Sequence, residues 1–332
     1  MRTLHRRTAA VTALAAVTTT AAAPGRAEPY AAPGSLPVLS GAYSLAARFD
    51  AVARDILRAH SDAARAQDRD RLKALSGFLA PGRRFLSFDA RGHGRAVEAV
   101  GDLARADRVA VVVPGADGLL TNFDSWKWAG GGARSLHRQA AAAAPGTRLA
   151  VVAWLGYDSP STRSPAVLTD GRAADGAREL TRFVGELHRV NGRAEVALLC
   201  HSYGSVVCGK AAPRLARQRL PVDEVALYGS PGVAAASAAA LCCAGLASGA
   251  RIWAGRSSGD WTRFVPKVRI AGIGLGHDPA APSFGALRFD AGSGPHSAYL
   301  RPGSRSLRNL TSIALGRDPG AHDTEATHAR NA

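Results

Sequence analysis

Two kinds of hydrophobic pattern alternate along this chain. Continuous apolar runs, of which residues 109–113 and 196–200 are the clearest, are typical of strands covered on both faces of a sheet. Apolar residues at three- and four-residue steps predict helices between these runs, notably over residues 130–144, 173–190 and 203–217. This alternation indicates an α/β fold, with a mostly parallel sheet and helices on both faces. The predicted strands are residues 84–88, 109–113, 149–155, 196–200, 225–227, 252–253 and 286–289.

The pattern of the N-terminal part is mainly helical. Apolar residues recur at three- and four-residue steps over residues 45–79, and Pro81-Gly82 ends this pattern. Residues 28–93 are therefore predicted to form an N-terminal helical extension, and residues 94–316 to form the main domain. Residues 317–332 are rich in polar and charged side chains, which is typical of a disordered tail.

Residues 1–27 have the composition of a segment that is removed from the mature protein. Arginines without an acid come first, an alanine-rich apolar stretch follows, and small residues surround Pro24. This order is typical of a secretory signal peptide, so the protein is predicted to be secreted or extracytoplasmic. The pair Arg6-Arg7 leaves twin-arginine export open as the route. An ordinary alanine-rich helix is the structural alternative.

Charge and composition restrict the classes of partner. The 332 residues include 42 lysines and arginines against 26 acids, a formal net charge of +16. Removal of residues 1–27 would leave 38 basic residues and a charge of +12. Nearly all the basic residues are dispersed arginines, so no stripe for specific nucleic-acid binding is predicted. The remaining charge favours loose association with anionic surfaces.

The cysteines are too few for a disulfide scaffold. They are Cys200, Cys208, Cys242 and Cys243, and their spacing matches no zinc motif, so no metal is predicted. Outside the cytoplasm they would be able to form disulfides, but the adjacent Cys242 and Cys243 are not expected to bond to each other. A bridge from Cys208 to one of that pair is therefore preferred.

A serine lies where one predicted strand meets the next helix, in the sequence Cys200-His-Ser-Tyr-Gly-Ser205. Such a serine projects from the carboxyl edge of the sheet on a sharp turn, the arrangement known as a nucleophile elbow. Small residues are needed two positions before and after the serine because the turn is crowded. Gly204 meets this requirement, whereas Cys200 stands where glycine is usual. Ser202 is the predicted nucleophile, and a helix-capping serine is the alternative.

A nucleophilic serine needs a base that removes its proton and an acid that orients the base. Two downstream loops supply them in the chain order Ser, Asp, His. Asp260 follows the sixth predicted strand in a polar loop, and His296 lies in another loop just before the last helix. Asp260 and His296 are therefore the predicted acid and base. The pair His277-Asp278 and Asp223 remain alternatives.

Attack on a carbonyl also needs amides that stabilise the developing oxyanion. The amide after the nucleophile belongs to Tyr203. A glycine-rich turn over residues 114–118 follows an earlier strand, so Ala116 is predicted to supply the second amide, with Asp117 as the alternative. No G-x-G-x-x-G and no Gly-Lys-Ser/Thr motif is present at this turn, and no cofactor is predicted. The tryptophans at 126 and 128 are candidates for an acyl pocket or for core packing.

Several segments together carry a family resemblance: residues 101–102, 106–115, 153–160, 201–205, 227–232, 275–279, 284–285, 296–300, 302–304 and 307–310. The sequence resembles an α/β-hydrolase family of high-G+C Gram-positive bacteria that has long been catalogued as a domain of unknown function. The resemblance implies an α/β-hydrolase fold with Ser202, Asp260 and His296 in the triad positions, and it implies no substrate. The chain departs from the family pattern at Cys200 and in an insertion over residues 122–132.

The predicted activity is cleavage of an ester bond through a Ser-His-Asp triad and an acyl-enzyme. The predicted partner is a small-molecule or lipid-like ester. Two alternatives stay open. One is an acyltransferase that uses an alcohol in place of water, and the other is a secreted binding protein that keeps the fold without turnover.

Overall fold

The computed structural model describes residues 28–243, 249–267 and 274–320, with an eight-stranded sheet at the centre. The strands are β1 (Arg84–Asp89), β2 (Arg95–Val100), β3 (Arg108–Val113), β4 (Leu149–Leu155), β5 (Glu195–His201), β6 (Glu224–Tyr228), β7 (Arg251–Gly255) and β8 (Leu287–Arg288). Their order across the sheet is β1-β2-β4-β3-β5-β6-β7-β8. Strand β2 is antiparallel to both of its neighbours, β1 and β4. All the other pairs, from β3 to β8, are parallel. The predicted α/β class is confirmed.

Helices cover both faces of the sheet. Alternate residues of β3 point into two separate cores: Val111 shares one with Leu180, and Val112 shares the other with Leu136. Within the described ranges, no helix combines the length and apolar character needed to cross a bilayer. The α-helices are α1 (Leu45–Arg65), α2 (Arg69–Phe78), α3 (Ala129–Ala143), α4 (Gly171–Val190), α5 (Gly204–Arg217), α6 (Ala238–Cys243) and α7 (Arg305–Ala314).

Strand β2 is absent from the strands that the sequence pattern predicts. Its centre is Glu98, which is only 2% exposed. The carboxylate accepts hydrogen bonds from Arg83 and Arg134, at 2.7 Å from Nε and Nη1 respectively. A buried charge of this kind is tolerated only when it is paired. The arginines that pair with Glu98 lie outside the strand. The sequence of β2 alone therefore shows an unexplained charge where a strand pattern requires an apolar residue.

The N-terminal segment contributes a strand of the sheet in addition to two helices. Helix α2 packs on β1, with the ring centroids of Phe78 and Phe85 4.8 Å apart. Because β1 pairs with β2, the sheet begins at Arg84, inside the segment that the sequence assigns to a helical extension.

The predicted signal peptide, residues 1–27, lies wholly outside the described residues. The predicted tail, residues 317–332, lies partly outside them, because residues 321–332 are not described. The beginning of that tail is described, and there Asp318 forms an ion pair with Arg251 at 2.6 Å.

The central strands end side by side at the carboxyl edge of the sheet. Tyr228, at the end of β6, is the register partner of both His201 on β5 and Gly255 on β7. Val113, which ends β3, pairs with Cys200. The loops that leave β3, β5, β6 and β7 therefore meet at one edge, where parallel α/β sheets bind their ligands.

Candidate active site

Ser202 lies on the sharp turn between β5 and α5. Its φ angle is +52°, a left-handed conformation that is strained for any residue except glycine. The amide of Ser202 donates to the carbonyl of Tyr228 at 2.9 Å, which ties the turn to β6. A Cβ atom at Gly204 would lie 2.6 Å from the carbonyl oxygen of Val113, so this position requires glycine. The local sequence therefore forms the expected elbow.

The cysteine two positions before the serine is part of a disulfide. Cys200 bonds to Cys208, with Cα atoms 6.5 Å apart. The preference for a bridge from Cys208 to Cys242 or Cys243 is therefore wrong. The elbow reverses the chain, so the end of β5 and the second turn of α5 face each other on one side of the sheet, within bonding distance.

His296 connects the serine to an acid. Its Nε2 atom lies 2.9 Å from Oγ of Ser202, and its Nδ1 atom lies 2.9 Å from each carboxylate oxygen of Asp260. An ionised carboxylate only accepts, so the Nδ1–H of the neutral ring donates to Asp260 and leaves Nε2 free to accept the serine proton. Ser202 is 8% exposed and Asp260 is completely buried. The structure thus brings together the three predicted side chains in the order that general-base activation of a serine requires.

Asp260 is surrounded by donors. Oδ1 accepts from the amide and the hydroxyl of Thr262, each at 2.8 Å, and Oδ2 accepts from the hydroxyl of Tyr299 at 2.5 Å. Burial opposes ionisation of Asp260, but the hydrogen bonds from His296, Tyr299 and Thr262 hold its pKa well below the ordinary value. The acid is therefore ionised and fixed in orientation.

The alternative acids have other partners. Asp278 accepts hydrogen bonds from the guanidinium of Arg256 and, at 3.0 Å, from the amide of Ala280. Asp223 accepts from the amide of Val196 at 2.8 Å, near the amino end of β5 and far along the sheet from the elbow. Neither carboxylate contacts His296.

His201 holds the loop that carries His296. Its Nε2 atom donates to the backbone carbonyl of His296 at 2.9 Å, and its ring lies 4.8 Å from the His296 ring. Burial, followed by the nearby His296, lowers the pKa of His201 to about 3. His201 is therefore a neutral donor that positions His296.

The glycine-rich turn after β3 packs directly on Ser202. A Cβ atom at Gly115 would lie 2.6 Å from Cβ of Ser202. The amide of Asp117 donates to the carbonyl of Pro160 at 2.9 Å, so it is already engaged. Among the described residues, no hydrogen bond uses the amide of Ala116 or of Tyr203. These two amides are the ones left to bind an oxyanion, whereas the Asp117 alternative is disfavoured.

Two buried hydroxyl groups donate hydrogen bonds to backbone carbonyls of the same turn. Tyr157 donates to the carbonyl of Pro114 at 3.0 Å, and Ser159 donates to the carbonyl of Gly115 at 2.7 Å. Ser159 also accepts from the amide of Gly118 at 3.1 Å. Both side chains are buried, and their carbonyl contacts fix the direction of the turn's amides.

A small cavity lies beside the site on the face covered by α3 and α7. Its lining includes Trp128, His201 and Tyr228, and its volume is about 20 Å³. This volume matches about one water molecule and is too small for an acyl chain. The cavity that Trp128 lines is therefore not a preformed acyl pocket. Within the described ranges, no group of three or more His, Cys, Asp or Glu side chains is arranged to hold a metal ion.

The sequence pattern does not identify Tyr299 and His201 as site residues. Tyr299 follows His296 by three residues and His201 precedes the nucleophile, so both belong to segments already singled out. Their roles depend on contacts between distant loops, which no local pattern reveals.

Comparisons with known proteins agree with this fold. A family model described as alpha/beta hydrolase matches residues 89–270, more than half of the chain. An uncharacterized protein of Mycobacterium tuberculosis is 33% identical over 259 residues, covering 68% of this chain and 37% of the relative. An uncharacterized protein of Mycobacterium bovis is 34% identical over 184 residues, covering 52% of this chain and 66% of the relative. The chain thus spans less than two thirds of the length of these relatives.

Solved structures with a similar fold include two hydrolases. A predicted CIB-like hydrolase from Thermoplasma acidophilum has a TM-score of 0.40 and 14% identity, covering 70% of this chain and 95% of that chain. An α/β serine hydrolase without a lid from Xanthomonas campestris has a TM-score of 0.38 and 14% identity, covering 71% of this chain and 93% of that chain. The family match, with the mycobacterial relatives, confirms the resemblance drawn from the motifs: the chain belongs to the alpha/beta hydrolase family.

Proposed function

We propose that this protein is a serine hydrolase that cleaves an ester bond through a covalent acyl-enzyme. The observation that carries the proposal is the continuous hydrogen-bonded chain from Ser202 through His296 to Asp260. Nucleophile, base and orienting acid are all within 2.9 Å of their partners, which is the reach that general-base catalysis needs. Membership of the hydrolase family agrees with this chemistry but names no substrate.

In the first half of the reaction, Ser202 attacks the ester carbonyl while its proton moves to Nε2 of His296. The carbonyl oxygen becomes an oxyanion, which the amides of Tyr203 and Ala116 stabilise. The bond to the alcohol then breaks, and His296 gives its proton to the departing alcohol oxygen. Asp260 stabilises the imidazolium and remains ionised throughout.

In the second half, water takes the place of the alcohol. His296 removes a proton from the water as its oxygen attacks the acyl carbonyl. The same two amides stabilise the second oxyanion, and the bond to Oγ of Ser202 breaks. Oγ recovers a proton from His296, and the carboxylic acid leaves, so the enzyme returns to its starting state.

The test compares two carboxylates near the same edge of the sheet. Asp260→Asn should lower kcat toward nitrophenyl esters by about 10⁴-fold, because the amide no longer selects the required tautomer of His296. Asp278→Asn is the matched control, since its carboxylate contacts Arg256 rather than His296, and it should retain near wild-type kcat. The reverse result would show that the acid is wrongly assigned.

The same assay separates the two alternative functions. Addition of an alcohol that accelerates release of nitrophenol and appears in an ester product would favour an acyltransferase. A folded wild-type protein that turns over no ester would favour a binding protein.

We also propose that the protein acts outside the cytoplasm on a small-molecule or lipid-like ester. The disulfide between Cys200 and Cys208 supports this proposal, because disulfides persist mainly in oxidising compartments. Fusion of residues 1–27 to a reporter tests it directly. Export of the reporter is expected, and retention in the cytoplasm would contradict the proposal.

A further inference from the structure

Two large apolar side chains are exposed on the helix that follows Asp260, and one of them contacts His296. Trp261 is 51% exposed and Phe264 is 74% exposed. The indole of Trp261 lies against His296, with the ring centroids 4.9 Å apart. Exposed apolar surface therefore begins at the edge of the base that would act on the substrate.

Trp261 and Phe264 lie on one face of a short 3-10 helix, Trp261–Phe264. A 3-10 helix has three residues per turn, so side chains three positions apart are eclipsed. The two rings therefore project from the same side of this helix, and together they are called here the apolar strip. Arg263 flanks it, with its guanidinium carbon 4.7 Å from the centroid of the Phe264 ring.

The acid of the triad fixes this helix in place. Asp260 caps it by accepting from the amide of Thr262 at 2.8 Å. The ammonium group of Lys267 donates to the carbonyl of Thr262 at 2.7 Å. The contacts that orient Asp260 therefore also hold the apolar strip beside His296.

A single exposed apolar side chain needs no explanation, because such residues are common on protein surfaces. Leu57 on α1 is an example, since it is 53% exposed and far along the chain from the triad. The strip differs because two aromatic rings share one face and one of them contacts His296. Exposed aromatic side chains grouped beside a candidate nucleophile and base mark a binding site more often than an isolated apolar residue does.

We propose that the apolar strip binds a long apolar chain of the ester substrate, with Trp261 as the residue that determines this preference. The inference rests on the proposed ester hydrolysis and adds to it a substrate class, amphiphilic esters with an extended hydrocarbon chain. The chain belongs to either the acyl or the alcohol part of the ester. When the hydrocarbon chain covers the indole, water is excluded from both the chain and the ring. The gain in binding free energy favours substrates with long chains.

The experiment measures kcat/KM along two substrate series. The acyl series runs from nitrophenyl acetate to nitrophenyl octanoate, and the alcohol series runs from methyl acetate to octyl acetate. Trp261→Ala should lower the long-to-short ratio about tenfold in one series, mainly through KM. The series that responds identifies which part of the ester lies on the strip. Phe264→Ala should change the same series in the same direction.

Two further variants separate binding from structural support. Trp261→Phe keeps an aromatic ring and should restore most of the preference for long chains. Leu57→Ala removes an equally exposed apolar side chain and should leave both series unchanged. An unchanged ratio for Trp261→Ala in both series, or an equal loss on short and long esters, would overturn the inference. Absence of ester hydrolysis by the wild-type protein would instead overturn the proposed function itself.

Discussion

Replacement of both Cys200 and Cys208 by alanine should lower the free energy of unfolding by about 2.5 kcal/mol. The bridge closes a loop with a sequence separation of 8, and this loop contains the nucleophile elbow. Cross-linking removes entropy from the unfolded chain by roughly 2.1 + 1.5R ln n cal/mol/K, which for this loop corresponds to about 2.5 kcal/mol at 25 °C. Alanine is the appropriate substitute, because both cysteines are buried and serine would bury an unpaired hydroxyl.

The assay is urea unfolding followed by tryptophan fluorescence, with and without a reductant. The wild-type protein should lose stability on reduction, and the double variant should not respond. This comparison separates the bridge from the packing of the sulfur atoms, which the alanine variant also removes. The bridge can also be seen directly, because a tryptic peptide over residues 194–210 contains both cysteines and should gain two hydrogens on reduction.

Two results would contradict a stabilising bridge between Cys200 and Cys208. One is a peptide whose mass does not change on reduction, which would mean that Cys200 and Cys208 are not bonded. The other is a double variant as stable as the wild-type protein, which would mean that the loop is equally constrained without the bridge.

Three other substitutions test the surroundings of the triad. Tyr299→Phe keeps the ring but removes the 2.5 Å hydrogen bond to the acid, so steady-state kinetics should show kcat about tenfold lower with KM unchanged; a change confined to KM would contradict this. The pKa of His201 is about 3 in the folded protein and about 6.5 in the unfolded chain. Between these pH values the unfolded chain binds more protons, so the free energy of unfolding falls as the pH decreases. His201→Gln should therefore lose less stability than the wild type between pH 6.5 and pH 4 in urea titrations, and identical slopes would argue against a neutral histidine in the folded protein. Gly115→Ala should lower kcat by about 10²-fold, because its Cβ would lie 2.6 Å from Cβ of the nucleophile and displace the Ala116 amide. Gly146→Ala, which meets nothing within 4 Å, is the control, and equal kinetics for the two glycine variants would contradict the prediction.

The elements with strong local signals were predictable from the sequence. Strands β3 and β5 are continuous apolar runs, and the change from β5 to the helical pattern of α5 locates Ser202 on a turn. Asp260 and His296 could be predicted because the order of a triad along the chain restricts the candidates to a few loops.

Other features depend on contacts between distant segments and have no local signal. Strand β2 was missed because Glu98 interrupts its apolar pattern, and the arginines that pair with Glu98 lie outside the strand. The disulfide was assigned to the wrong partner because spacing along the chain does not show that the elbow turns Cys200 toward Cys208. The contact of Tyr299 with Asp260 depends on the meeting of two loops, which only the fold reveals.

The proposed function depends on one claim, that His296 activates Ser202 as a nucleophile. The most direct measurement is labelling of the whole protein with a fluorophosphonate, followed by mass spectrometry to locate the modified residue. The claim predicts one label on each molecule, attached to Ser202, with no labelling of Ser202→Ala and labelling of His296→Ala slowed by several orders of magnitude. A folded wild-type protein that takes up no label, or that carries it on a different residue, would contradict the claim.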